Sequence, residues 1–562
     1  MGHDVPSLKI GAKNLGQVTE LSVPTITQPL LSIRIVDNDH EKFSPNTLWQ
    51  CGAPIPTAFG PLLRTRVVRN ECVTRTDTGR IGKAKWELEL ALPDQEDADQ
   101  QQQQRVLLEN CDAGDSFNVL FENPEQEVDF VLKRLGFCAE TADTEHTLEL
   151  HKVPENNGKF AHFPFRCSPR QLIAQFIDIR RAPSRLALRV FADHAHEPAE
   201  RRRLLELCSA QGATEFTKFV RQPNISLVEL LCTFPSLTPP LTCLIECLPR
   251  LLPRHYTLCC YLSAQPRQQL RFRFVYSVLQ MPPSVIIDEC AEFEGQKQQQ
   301  QIRYGACTQW LLQQRPGQTV QIIQKEPSKF RFLPPFFVHS PASVPSSGST
   351  MVDQSDHALL LLNMPLMMVG PGTGVAPFIA FLQKIRHFMQ QMDGDGAHCG
   401  RVKRVLFYAS SNLDDEFLFR YHAQIDQMVA DGVLSELVLC ESRPTDADAA
   451  AKATAGPPPA GTTGDNETPP QSQRQQCHRP QRVYDALRQR SAEVAHFLMP
   501  TDNEAEEGGL FYACGDVKNM SRELWACLSD ILQREKGFSP VEAIHLLKKL
   551  REKERLIEDV WS

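Results

Sequence analysis

In the last third of the chain the spacing of apolar residues changes period abruptly. Leu366 to Val369 is a continuous apolar run of the kind a buried strand presents, and it stops at Gly370, Gly372 and Gly374. After Pro377 the apolar positions Phe378, Phe381, Leu382, Ile385 and Phe388 recur at three- and four-residue steps. Strand, tight turn and helix are predicted, with Pro377 in the first helical turn. Apolar runs at Val405 to Tyr408, Leu437 to Cys440 and Leu510 to Ala513 alternate with amphipathic stretches, which predicts a doubly wound parallel sheet. Residues 444–480, rich in Ala, Gly, Pro, Thr and Gln, are expected to be a disordered insertion in it. A last helix should open at the capping box Ser539-Pro540-Val541-Glu542 and end near the terminus, Glu558-Asp559-Val560-Trp561-Ser562.

Upstream the pattern is different. Period-two alternation from Lys85 to Leu92 and from Leu270 to Val278 predicts strands, as do Arg66-Val67-Val68, Ser116 to Leu120 and Pro253 to Leu258. Between them 168–250 reads as helical: Ser168-Pro169 can cap a helix carrying Leu172, Ile173, Phe176 and Ile177, and Leu204, Leu207, Leu227, Leu230 and Leu231 recur further on. Arg201-Arg202-Arg203 is expected on a solvated helix face. Residues 1–60 mix Pro, Thr, Ser and short apolar patches and read as a leader or linker with little core of its own. Gln100 to Gln104 and Gln296 to Gln301 read as surface insertions, and the Ser/Pro-rich 340–350 as a domain boundary.

Composition narrows the classes. A chain of 562 residues is too long for one core, and 41% hydrophobic with 23% charged residues is the balance of a soluble globular protein. The 60 basic and 68 acidic residues, a formal charge of -8, argue against nucleic acid as partner. No apolar run approaches a membrane span, and no basic segment leads into an apolar one, so neither a membrane partner nor a signal peptide is expected. Eighteen cysteines without paired C-x-x-C sets suggest reduced thiols, a cytoplasmic location and no metal.

The Gly-rich turn leaves backbone N–H groups open at a helix N-terminus, where a phosphate is the natural guest. Four further segments stand beside it in order: Arg254-His255-Tyr256-Thr257, Gly305-Ala306-Cys307-Thr308, Cys514-Gly515-Asp516 and Asp559-Val560-Trp561-Ser562. Together they resemble the FAD- and NADPH-binding half of the diflavin reductases, in the ferredoxin–NADP reductase superfamily. The likeness runs from about residue 64 to the end. Leu204 to Ala213, Leu248 to Arg254 and Ile379 bring it nearest to the branch that serves methionine synthase. The resemblance implies a fold of α/β plus β-barrel type: an antiparallel FAD-binding barrel in two parts, 61–167 and 251–345, a helical connecting domain over 168–250, and an NADP-binding domain over 351–562.

It also implies roles. Arg254, His255, Tyr256 and Thr257 would hold FAD, with arginine on the pyrophosphate and tyrosine against the flavin ring; Gly305, Ala306, Cys307 and Thr308 would complete the FAD segments. Gly372 and Thr373 would take the NADPH pyrophosphate, with Ser442, Arg443, Arg482, Tyr484, Glu523 and, more weakly aligned, Arg69 around the rest of that nucleotide. Thr257, Cys514, Asp559 and Trp561 would stand at hydride transfer, Trp561 covering the flavin ring. FMN belongs to the family, yet no flavodoxin-like pattern is evident before residue 64; a separate FMN protein or a truncated product would account for that. The activity implied is an NADPH-dependent flavoprotein reductase that reactivates cobalamin-bound methionine synthase. Two other readings stand beside it: a diflavin-type reductase serving haem proteins, and a non-catalytic regulatory or scaffold protein with a degenerate flavin site.

Overall fold

The computed structural model describes residues 7–37, 48–74, 84–93, 102, 106–138, 146–152, 159–266, 270–281, 303–332, 362–392, 402–410, 418–441, 482–500, 508–516 and 520–561. The expected insertions at 444–480 and Gln296 to Gln301 and the boundary at 340–350 lie outside them, as does nearly all of Gln100 to Gln104. The chain divides into two compact units. The first comprises Met1–Ala58, Val119–Arg254 and Val278–Gln314, and the second Phe59–Asn118, His255–Ser277 and Arg315–Ser562.

Helices build the first unit around one apolar core in which Leu172, Phe176, Leu188, Phe191, Leu204, Leu207, Leu230, Phe234 and Leu244 are buried. Serines start several of them: Ser168, Ser184 and Ser226 accept hydrogen bonds from the backbone N–H of Gln171, Ala187 and Glu229, as an N-cap does. Described residues of the stretch 1–60, read as a leader or linker, contribute to this core: Leu8 and Leu31 are buried in it, and Val23, Leu30, Ile33 and Cys51 pack against it. Leu31–Asp37 pairs antiparallel with His146–Lys152, which pairs with Arg166–Cys167, while Leu8, Leu15 and Trp49 are buried.

The arginine run corrects its own expectation in the same way. Only Arg201 lies on the solvated face. Arg202 donates to the carbonyls of Leu15 (3.3 Å) and Val18 (2.6 Å), and Arg203, 3% exposed, donates to those of Leu8 (3.1 Å) and Ser7 (2.5 Å) and pairs with Glu215 at 2.6 Å. Guanidinium forks satisfy backbone oxygens that a segment with few hydrogen bonds of its own would leave unpaired. Charge periodicity could not reveal this, because the acceptors lie far back in the chain.

Two sheets make the second unit. The first is antiparallel with six strands in the order Arg254–Thr257, Ser116–Val119, Thr319–Lys325, Ala58–Cys72, Lys85–Ala91 and Arg271–Ser277. A bridge between Leu258 and Phe274 ties its two edges, so the sheet is a nearly closed barrel. Phe117 fills it, edge-on to Phe272 and Phe274.

The second sheet is parallel throughout, in the order Glu436–Glu441, Arg404–Ser410, Leu366–Val369, Leu510–Asp516 and Leu556–Trp561. Both faces are covered, which is why its strands read as unbroken apolar runs. Leu366, Met368, Leu406, Tyr408, Leu510 and Tyr512 join one core with Ala376–Met392 and Leu418–Ala430, while Met367, Val369, Val405, Phe407 and Phe511 join another with Met520–Lys536 and Pro540–Glu552. The last helix opens at the expected capping box but does not reach the terminus. It ends at Glu552, the chain reverses at Glu554 with φ of 54°, and Leu556–Trp561 becomes a fifth parallel strand. Leu556 and Ile557 are then buried, an arrangement open to them only because Leu510–Asp516 offers an edge. Among the described residues no helix is long and apolar enough to cross a membrane.

Candidate active site

The Gly-rich turn sits at the carboxyl edge of the parallel sheet, where open α/β sheets bind their ligands. Two of its glycines are required for different reasons. A Cβ on Gly374 would lie 2.0 Å from the carbonyl oxygen of Cys514, so this backbone rests directly on the neighbouring strand. Gly372 has φ of +58°, and a Cβ there would meet nothing within 4 Å, so its backbone faces open space. Thr373 is half-buried between them, and Ala376–Met392 follows with its N-terminus at the turn. An open turn with three glycines at the start of a 17-residue helix fits a pyrophosphate.

Beside the turn the fifth strand brings the terminus into register. Cys514 pairs with Asp559, Gly515 with Val560 and Asp516 with Trp561. Neighbours in register on parallel strands point to the same face, so the thiol and the carboxylate share one side of the sheet. Cys514 is wholly buried, and burial and then the Asp559 charge push its thiol well up. Burial also raises the Asp559 carboxyl, opposed by the Lys325 ammonium.

On the adenine side of the expected nucleotide site, Arg482 is exposed and 3.9 Å from Glu523, and the Tyr484 hydroxyl donates to the Met520 carbonyl at 3.3 Å. Burial, with the Glu523 charge, raises the Tyr484 phenol. Ser442 and Arg443 lie outside the described residues. Arg69 follows an irregularity in strand register between Val67 and Arg69, and its guanidinium turns onto Glu87 (2.6 Å) and Glu89 (2.9 Å), with Glu71 at 3.8 Å. Glu87 is 1% exposed and also accepts from Tyr421, so Arg69 neutralises a buried carboxylate.

The flavin segments are divided between the units. In the first, Arg254 is half-exposed, 3.6 Å from Asp178 and over the Phe121 ring at 5.5 Å. Gly305 is the N-cap of Ala306–Gln313; Ala306 is half-buried, Cys307 and Thr308 are buried, and the Thr308 hydroxyl donates to the Gly305 carbonyl at 3.0 Å. A guanidinium with exposed donors and a helix N-terminus are both groups that suit a dinucleotide pyrophosphate. In the second unit, His255 is exposed, Tyr256 is half-buried edge-on to Tyr276, and the Thr257 hydroxyl lies 2.9 Å from that of Ser116. A half-buried aromatic beside a hydroxyl pair is what a flavin ring would need, one flat apolar contact and one hydrogen-bonding edge.

A family profile described as "FAD binding domain" matches residues 109–275. Methionine synthase reductase of Caenorhabditis elegans is 31% identical over the whole of this chain and 69% of its own length. The chain belongs to the methionine synthase reductase family. The Bos taurus member is 32% identical over 80% of this chain and 56% of its own length, and NADPH–cytochrome P450 reductase of Cavia porcellus is 26% identical over 80% and 54%. The chain thus spans between about half and about two thirds of the curated relatives it resembles.

Seen within this family, Ser116, Lys325 and Asp178 are the site neighbours that motif spacing did not reveal. Ser116 and Lys325 carry no signal beyond ordinary strand residues. Asp178 follows the apolar Ile177 and begins a turn, a hint too common to use.

Proposed function

We propose that this chain is an NADPH-dependent flavoprotein reductase whose electrons go to cobalamin-dependent methionine synthase, in methionine biosynthesis. The observation that carries the reading is the register of the last two strands, which sets Cys514 against Asp559 and brings Trp561 level with Asp516, beside the Gly-rich turn. FAD would be held by Arg254, Tyr256, Thr257 and Gly305 to Thr308, and NADPH by Gly372, Thr373, Arg482, Tyr484 and Glu523 with Ser442 and Arg443. Bound together, the nucleotides supply the redox chemistry, hydride from nicotinamide to flavin.

The chain's own residues position and stabilise. Asp559, held in a poorly solvated place, favours positive charge arising near it. Cys514, its thiol kept protonated by burial, packs as a small neutral group and leaves Asp559 as the charge on that face. Thr257 and Ser116 offer a hydroxyl pair that a ring nitrogen could join. Trp561 ends the edge strand in register with Asp516 and would be the residue that covers the flavin ring.

The purified chain should carry a yellow flavin spectrum that NADPH bleaches without oxygen, and it should pass electrons to an artificial acceptor. A chain binding neither flavin nor NADPH would end the proposal and leave a scaffold role. Onward transfer, through the FMN expected of the family, is a separate measurement: reactivation of methionine synthase compared with reduction of a haem protein, each with an FMN domain supplied. A preference for the haem protein would reassign the acceptor.

A further inference from the structure

We propose that the turn Asp178-Ile179-Arg180-Arg181 is the positioning element that sets the two pyrophosphate-holding segments of the FAD site at one spacing, with Arg180 as its main contact. The inference rests on the flavin reading above and deepens it. Both segments hang on this turn within the first unit. Asp178 reaches Arg254 through one carboxylate oxygen at 3.6 Å, while its other oxygen accepts from the N–H groups of Arg180 and Arg181, both at 3.2 Å, which closes the turn on itself. Arg180 then donates to the carbonyl of Tyr304 at 2.6 Å, the residue immediately before Gly305. Its remaining donors are taken by Glu127, at 3.0 and 2.9 Å from Nε with a further contact from Nη2, so the fork is fixed in direction.

The strand entering the second segment needs such help. Arg303–Tyr304 pairs with Gln280–Met281 over two residues only, a ladder too short to hold a turn by itself. A second arginine supports it from the other side: Arg303 donates to Glu229 (2.5 Å, the carboxylate wholly buried) and to the carbonyl of Asn224 at 3.1 Å. Asn224, at φ of 53°, returns its side-chain amide to the carbonyl of Arg180 at 3.1 Å. The loop is therefore closed: Arg180 to Tyr304, Arg303 to Asn224, Asn224 to Arg180. Two ion pairs at low exposure, 16%/15% and 16%/0%, are an expensive way to hold a two-residue strand unless its position matters. None of these side chains is asked to touch the nucleotide; each acts through Arg254 or through the backbone at Gly305.

The test uses the full chain, stripped of flavin and titrated with FAD by fluorescence, alongside NADP⁺ titration and far-ultraviolet circular dichroism. Arg180→Met should raise the FAD dissociation constant by roughly 10- to 100-fold, as loss of a charge-assisted hydrogen bond does. Affinity for NADP⁺ should stay within about twofold, and excess FAD should restore NADPH-dependent reduction of an artificial acceptor. Arg180→Lys, which keeps the charge against Glu127 without the fork, should fall between Arg180→Met and the native chain; it takes the same measurements if Arg180→Met does not fold. FAD affinity unchanged in a folded variant overturns the inference, as does equal loss of both nucleotides with no rescue by FAD. A native chain that binds no FAD at all would instead overturn the flavin reading beneath it.

Discussion

Replacing Gly374 by alanine is the sharpest single test of the nucleotide turn. The added Cβ would lie 2.0 Å from the Cys514 carbonyl oxygen and 2.8 Å from its carbon, where real Cβ atoms keep at least 3.0 Å. The obstacle is strand backbone, held by parallel pairing on both sides, so it cannot swing away as a flexible side chain would. The turn itself has to retreat by about 1 Å, a misplacement that can cost about 100-fold in rate even when no reacting group is lost. Crowding of this kind typically costs about 1–3 kcal/mol in stability, too little to unfold a large chain. Gly372→Ala is the companion variant, since its Cβ meets no protein atom and, within the protein, the left-handed backbone is penalised by about 1–2 kcal/mol. Gly372→Asn should recover part of that penalty, because asparagine tolerates positive φ. The assay is kcat/KM for NADPH with an artificial acceptor, beside thermal melting. We expect Gly374→Ala to fall roughly 100-fold with the chain still folded, and Gly372→Asn to fall less than about tenfold. Equal effects of the two, or Gly374→Ala within twofold of the native chain, would refute the claim that close backbone approach sets the site.

Asp559 should show opposite effects on stability and turnover. Its folded pKa is raised, mainly by burial, so its charge destabilises the fold only above the ordinary carboxylate range, and increasingly as pH rises through the raised value. Asp559→Asn should raise Tm at about pH 7, leave it unchanged near about pH 3, and lower NADPH-driven turnover; a lower Tm at neutral pH would contradict the sign. Glu436 has the reverse sign: the hydrogen bond from Arg490 holds its carboxyl below the usual range, so its stabilisation is present at neutral pH and lost on acidification. Arg490→Met should therefore lower Tm at about pH 7 and make little difference below about pH 3. Arg203→Met should strand Glu215 and free the Ser7 and Leu8 carbonyls, costing about 3–5 kcal/mol and opening the first residues to limited proteolysis. An unchanged cleavage pattern would show that other contacts suffice to hold that segment.

Local pattern was enough for everything whose cause is local. Four of the five parallel strands announce themselves as apolar runs because both their faces are buried, and the helix after Gly374 announces itself by its three- and four-residue steps. The capping box at Ser539 works within four residues, so its serine and glutamate suffice to predict it. The barrel strands Lys85–Ala91 and Arg271–Ser277 were legible by alternation, since one face packs inside, whereas Thr319–Lys325 was not read as a strand.

What could not be read this way depends on partners distant along the chain. Leu556–Trp561 is a strand only because Leu510–Asp516 leaves it an edge to pair with, and its six residues carry no period long enough to distinguish it from a helix end. The opposition of Cys514 to Asp559 is a register, and register is a property of two strands together. The same holds for Arg203, whose acceptors lie in a segment that read as a linker, and for Arg69, whose charge is taken up by carboxylates on the neighbouring strand. Residue type and spacing settle which elements form and which chemistry is present; which charge meets which, and on which face, is settled when remote backbone brings them within a few ångströms of each other.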